Sequence, residues 1–136
     1  MSCARPVAVR LGFALALTLF CAPMVPRMSW AQAIPPLPDS TGWGVHVLAV
    51  AKDPIGALWV GTYGQGIFRL PPHATSWDRM HSDTLPGSIS WDFVHGFGFG
   101  PHGEVWYGTV GNGWGLSRDG GATWTNWTFR QLGPER

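Results

Sequence analysis

The feature that most constrains this chain is a repeat with an offset of 47 residues. Residues 50–62 (VAKDPIGALWVGT) line up with residues 97–109 (FGFGPHGEVWYGT). Pro54/Pro101, Gly56/Gly103, Trp59/Trp106, Gly61/Gly108 and Thr62/Thr109 are identical pairs, and Gly64/Gly111 and Gly66/Gly113 extend the match. Such a chain is built from two copies of one supersecondary unit, and neither copy can bury its apolar face alone. Beyond Gly66 the second copy reads as two residues longer. Residues 66–69 align with residues 115–118, which leaves Trp114, flanked by Gly113 and Gly115, in the inserted stretch before the register returns at Trp77/Trp124.

The interior of each copy is a series of short apolar runs between Gly and Pro turns. Strands are expected at 46–51, 58–61, 66–70 and 76–80, and again at 91–99, 105–109, 115–118 and 123–129. Charged residues make up 12% of the chain against 19 Gly and 9 Trp, a balance that favours short strands and tight turns over long helices. A period near 47 falls within the roughly 40–50 residues of a four-stranded propeller blade. The expected fold is all-β: about two four-stranded antiparallel blades of an incomplete propeller, after an N-terminal signal helix.

Residues 1–33 read as that signal peptide. Arg5 and Arg10 precede the apolar run LGFALALTLF at 11–20, and Ala31-Gln32-Ala33 offers a small-x-small cleavage site. The run is too short to span a bilayer, so a membrane is expected only through an uncleaved signal segment. The expected location is periplasmic or secreted. Cys3 and Cys21 both fall in this segment, so the mature chain has no disulfide. Its six basic residues face eight acids, a net charge of −2 with no basic stripe, which excludes a nucleic-acid partner. The remaining organisation is a Pro-rich lead-in at 34–43, repeat 1 at 44–90, repeat 2 at 91–129 and a tail at 130–136.

The pattern Pro-x-Gly-x-Leu/Val-Trp-x-Gly-Thr resembles the repeats of two-component-regulator propellers. Ser117-x-Asp119-x-Gly121-x-Thr123-Trp124 resembles the Asp-box, or bacterial neuraminidase repeat. That motif occurs in sialidases, xyloglucan-cleaving glycosidases, sortilin-like receptors and photosystem-assembly propellers. The first copy departs from it: Leu70-Pro-Pro-His-Ala-Thr-Ser-Trp77 lacks the Asp and both turn glycines. The resemblance implies a peripheral structural turn. Asp119 would accept backbone N–H groups, Ser117 and Thr123 would tie the arms, and Gly121 would permit positive φ. Trp59, Trp77, Trp106 and Trp124 are expected to pack blade against blade.

Function is less constrained. His46, His73, His81, His95 and His102 lack metal-ligand spacing and have no Cys to help them, so neither a metal nor a cofactor is expected. Glu104, Asp53, Asp78, Asp83 and Asp92 are the carboxylates that a glycosidase would need to pair. Five Arg and two Tyr in the mature part are sparse for a sialidase centre. Trp43, Trp91 and Trp114 are candidates for a carbohydrate- or peptide-binding surface. The sequence therefore favours a non-catalytic module for ligand sensing or protein binding, a fragment of a longer propeller. The alternative is a fragment of a sialidase-like or xyloglucanase-like glycoside hydrolase. The expected partners are further blades or other copies of the chain.

Overall fold

The computed structural model describes residues 33–132, so the expected signal segment lies outside them apart from Ala33. The described part is nearly all β. Eight strands run in order: β1 (Val47–Lys52), β2 (Leu58–Thr62), β3 (Ile67–Leu70), β4 (Asp78–Met80), β5 (Val94–Phe99), β6 (Val105–Thr109), β7 (Trp114–Ser117) and β8 (Thr125–Trp127). A single helical turn, α1 (Phe129–Leu132), follows. The strands form two four-stranded antiparallel sheets, ordered β1-β2-β3-β4 and β5-β6-β7-β8. Each strand pairs with the next in sequence, so the links within a sheet are hairpin-like connections.

The offset of 47 holds through all four strands, and the expected insertion is absent. Gly61 pairs with Ile67 as Gly108 pairs with Trp114, and Ile67 pairs with Met80 as Trp114 pairs with Trp127. Trp114 therefore corresponds to Ile67, and Gly115–Ser117 to Phe68–Leu70. The register is set by the hairpin turns and not by likeness of the apolar residues. Gly66 (φ 79°) and Gly113 (φ 78°) close the two β-hairpins at equivalent points. A Cβ there would fall on the Met80 and Trp127 carbonyls respectively, at 2.2 and 1.9 Å, so only glycine fits. Even the bulge recurs, between Val47 and Ala49 and again between Val94 and Gly96.

Two strand ends differ from expectation. β5 begins at Val94 and not at Trp91, because the Asp92 carbonyl accepts N–H groups of Gly64 (3.1 Å) and Gly66 (3.0 Å) in the first sheet's turn. β8 stops at Trp127, and Phe129 opens α1 instead. There Gln131 Oε1 accepts the Thr128 N–H at 2.8 Å, capping the turn.

The core lies between the sheets. Ala57, Trp59 and Ile67 of the first meet Val94, Val105, Tyr107 and Trp124 of the second, with Ile89 from the connection. β1 and β2 both lie against β5. The Trp59 ring sits 6.1 Å from Phe97, 6.3 Å from Phe99 and 6.4 Å from Trp124, the last at 90°. Edge-to-face contact of this kind adds about 0.5–1.5 kcal/mol to the burial of the rings. Gly61 lets the β5 backbone approach: a Cβ on it would come 2.5 Å from the Val94 carbonyl oxygen. On the far side of the first sheet the lead-in is anchored at Pro35, whose carbonyl accepts Trp77 Nε1–H at 3.0 Å.

Candidate functional site

The Ser117–Trp124 turn is held by side chains of its own sequence. Asp119 Oδ1 accepts the Ser117 hydroxyl (2.7 Å) and the Thr123 N–H (2.9 Å), and Oδ2 accepts the Thr123 hydroxyl. Ser117 Oγ accepts the Gly121 N–H at 2.8 Å, and the Gly121 carbonyl accepts Trp124 Nε1–H at 3.1 Å. The Thr123 hydroxyl and N–H, with the Ser117 hydroxyl, hold the Asp119 carboxyl down at about 2. A carboxylate so engaged is a turn anchor, with little capacity left for proton transfer. The first copy keeps the backbone without the acid: His73 takes φ 64° where Gly120 takes φ 70°.

The other candidate carboxylates are similarly committed. Asp53 Oδ1 accepts the N–H groups of Ile55 (3.1 Å) and Ala57 (2.8 Å), and Oδ2 accepts Trp59 Nε1–H (2.9 Å). Glu104 Oε2 accepts the His102 N–H at 2.9 Å, in the space that a side chain at Gly100, the counterpart of Asp53, would need. Backbone hydrogen bonds, its own N–H first and that of His102 second, lower the Glu104 pKa. Asp78 pairs with Arg69 at 3.5 Å, Asp83 accepts the Leu85 N–H, and Asp92 accepts the Ser82 N–H. Among the described residues no group of three or more His, Cys, Asp or Glu is placed to hold a metal. An open cleft of about 520 Å³ beside the turn is lined by Arg69, Arg79, His81, Asp83, Asp119 and Trp124 among others, with charges of both signs.

The aromatic candidates divide between two places. At the end of the sheets that carries the β2–β3 turn, Trp91 packs on Phe93 (4.6 Å) and Phe93 on Tyr63 (4.6 Å, 84°). Tyr63 is 60% exposed. The loop at 39–44 adjoins this end, because the Gly44 carbonyl accepts Gln65 Nε2–H (3.4 Å) and the His46 carbonyl accepts the Tyr63 N–H (2.9 Å). This loop winds around Asp39, whose carboxylate accepts N–H groups of Thr41, Gly42 and Gly44 and the Thr41 hydroxyl. Thr41, through its hydroxyl and then its N–H, is the main cause that brings the Asp39 carboxyl down to about 2. The loop presents Trp43 88% exposed. Trp43 and Trp91 thus sit at one end of the sheets.

Trp114 belongs elsewhere. On the face of the second sheet turned away from the first, it stacks on Trp127 (4.2 Å, 17°) and packs on Trp106 (5.2 Å). Trp106 was expected to pack between sheets; it is 37% exposed, whereas its counterpart Trp59 is fully buried. The difference is the neighbour. Trp59 has β5 and Trp124 against it, and the described residues put no sheet on Trp106. Trp77, also expected at a sheet interface, is half-buried and bonded to the lead-in. Tyr63, Phe93 and Trp127 are not among the ligand-surface candidates that the sequence offers. The alternation of β6 and β7, read at a constant offset of 47, places Trp127 with Trp106 and Trp114.

Compared with protein-family models and with curated proteins, the chain matches none.

Proposed function

We propose that this chain is a non-catalytic module of β-propeller-type repeats, acting outside the cytoplasm in ligand sensing or protein binding as part of a longer propeller. The observation that carries the reading is the division of labour between residue types. The carboxylates that chemistry would need are tied into turns, while Trp43, Tyr63 and Trp91 are gathered at one end with two of them largely exposed. Rigid aromatic surface of this kind binds sugar rings or apolar peptide side chains at low entropic cost. The constant offset of 47, with paired turns and bulges, supports the repeat assignment, and the side-chain bonds of Ser117–Trp124 are those an Asp-box would require.

Titration with soluble oligosaccharides and with short aromatic peptides, followed by tryptophan fluorescence and calorimetry, tests this reading. Binding by one class is expected, weakened about tenfold or more by Trp43→Ala, the equivalent of about 1.4 kcal/mol. Release of sugar from fluorogenic glycosides by the purified protein would overturn the non-catalytic assignment.

A further inference from the structure

The two outward faces of this sheet pair are complementary by the protein's own internal rule. In the contact between the sheets, the first contributes a face bearing Trp59, Gly61 and Ile67, and the second receives it on Val94, Phe97 and Tyr107. Moving every residue by 47 turns that donor face into Trp106, Gly108 and Trp114, which is the outward face of the second sheet. Moving back by 47 turns the receiving face into Val47, Val50 and Val60, on the outward face of the first. The inner half of this face is bare: Val47 is 45% exposed and Val50 is 64% exposed. The lead-in touches the Lys52 end of β1, where Ile34 lines a pocket with Lys52 and Leu58, and its hydrogen bonds go to Trp77, Gln65 and Arg79, which leaves Val47 and Val50 exposed. β1 is also the strand that matters, since its counterpart β5 makes the contacts in the internal interface.

We infer that these two faces join copies of the chain head to tail, the Trp106 face of one copy seating on the Val47–Val50 face of the next. The occupant is a second copy because this chain itself carries both halves of the contact. The interface is heterologous, so it grows until rotation closes it. Closed propellers hold about 4–8 four-stranded sheets, the number found in roughly two to four copies of the described sheet pair. One local adjustment is required. The exposed His95 ring lies over Gly108, with Cε1 3.0 Å from where a Cβ would be, and it swings aside as the incoming strand docks. The inference needs only the correspondence between the sheets and stands apart from the ligand-binding role proposed above; the longer propeller of that reading is here the one that copies of this chain form together.

Size-exclusion chromatography with light scattering on the purified protein, wild type and two variants, tests it. Val50→Glu blocks one face at an exposed strand position. Gly96→Glu blocks the other, on β5 beside Gly108, where a Cβ meets open space. The wild type is expected to run as a discrete oligomer and each variant as a monomer. An equimolar mixture of the variants is expected to give a species of twice the monomer mass, because one intact pair of faces remains between them. A monomeric wild type, a variant that keeps the wild-type mass, or a mixture that stays monomeric would each overturn the inference. The last outcome would mark a two-fold contact instead. Far-UV circular dichroism checks folding; if either variant is unfolded, Val47→Glu and Trp106→Glu take their places on the same two faces.

Discussion

Gly121 lies directly against Trp59. A Cβ on Gly121 would come 3.0 Å from the Trp59 ring and 2.8 Å from the Met80 methyl, and the residue holds φ at 98°. The turn glycine thus serves the contact between sheets as well as the turn. Gly121→Ala combines left-handed strain with overpacking of a buried indole, and should cost about 2–4 kcal/mol. Gly96→Ala, in extended backbone with open space around it, should change stability by less than about 1 kcal/mol. Urea unfolding of the two variants, compared at equal m-value, checks the contrast.

Trp59 and Trp106 occupy the same position in the two copies yet carry different burial. Trp59→Ala removes a fully buried ring with three aromatic neighbours and should cost about 3–5 kcal/mol. Trp106→Ala should cost clearly less in the isolated chain, about 1–2 kcal/mol, because its ring is already partly in water. Equal losses in denaturant unfolding of the monomer would contradict this account.

The sheets themselves were legible in the sequence, because strand and turn positions follow from Gly, Pro and apolar runs, which act locally. The register was not. Likeness of Ile67-Phe68 to Leu116-Ser117 suggested a two-residue insertion, whereas the pairing is fixed by the turns at Gly66 and Gly113, where backbone geometry outweighs side-chain likeness. That slip also hid the counterpart of Trp114. The hydrogen-bonding roles of Asp119, Ser117 and Thr123 follow from their spacing within one turn. The fate of Trp106 could not follow from any local pattern, since it depends on what lies against the sheet.

Acid should destabilise the fold through Asp39 and Asp119. Both carboxyls are held at about 2 in the folded chain, below the roughly 3.9 of an unfolded Asp. A depressed folded pKa gives stability that is fully present above the unfolded pKa and is lost as pH falls through the folded one. The thermal midpoint should therefore drop between about pH 4 and pH 2. Both groups are solvent-exposed, so each contributes modestly. Asp119→Asn should shallow the decline over that window while leaving any change above pH 5 nearly flat, which melts across a pH series would show.

Tyr107 ties the second sheet to the segment that links the two. Its hydroxyl accepts the Ser90 N–H at 2.6 Å and donates to Asn126 Oδ1 at 2.7 Å, while Asn126 Nδ2–H reaches the Ser88 carbonyl at 2.8 Å. Burial is the leading cause that raises the phenol pKa, so the neutral, donating form persists into alkaline solution. Tyr107→Phe keeps the ring against Trp124, at 5.0 Å and edge-on, and strands a backbone N–H and an amide oxygen. The loss should be about 1–3 kcal/mol, the cost of buried groups left without a partner. Its location should show in hydrogen exchange. The Ser90 amide, now unprotected, should exchange markedly faster, while amides paired between β2 and β3 should slow or quicken only with global stability. Uniform acceleration across both sheets would mean that the ring, and not the hydroxyl, carries the effect.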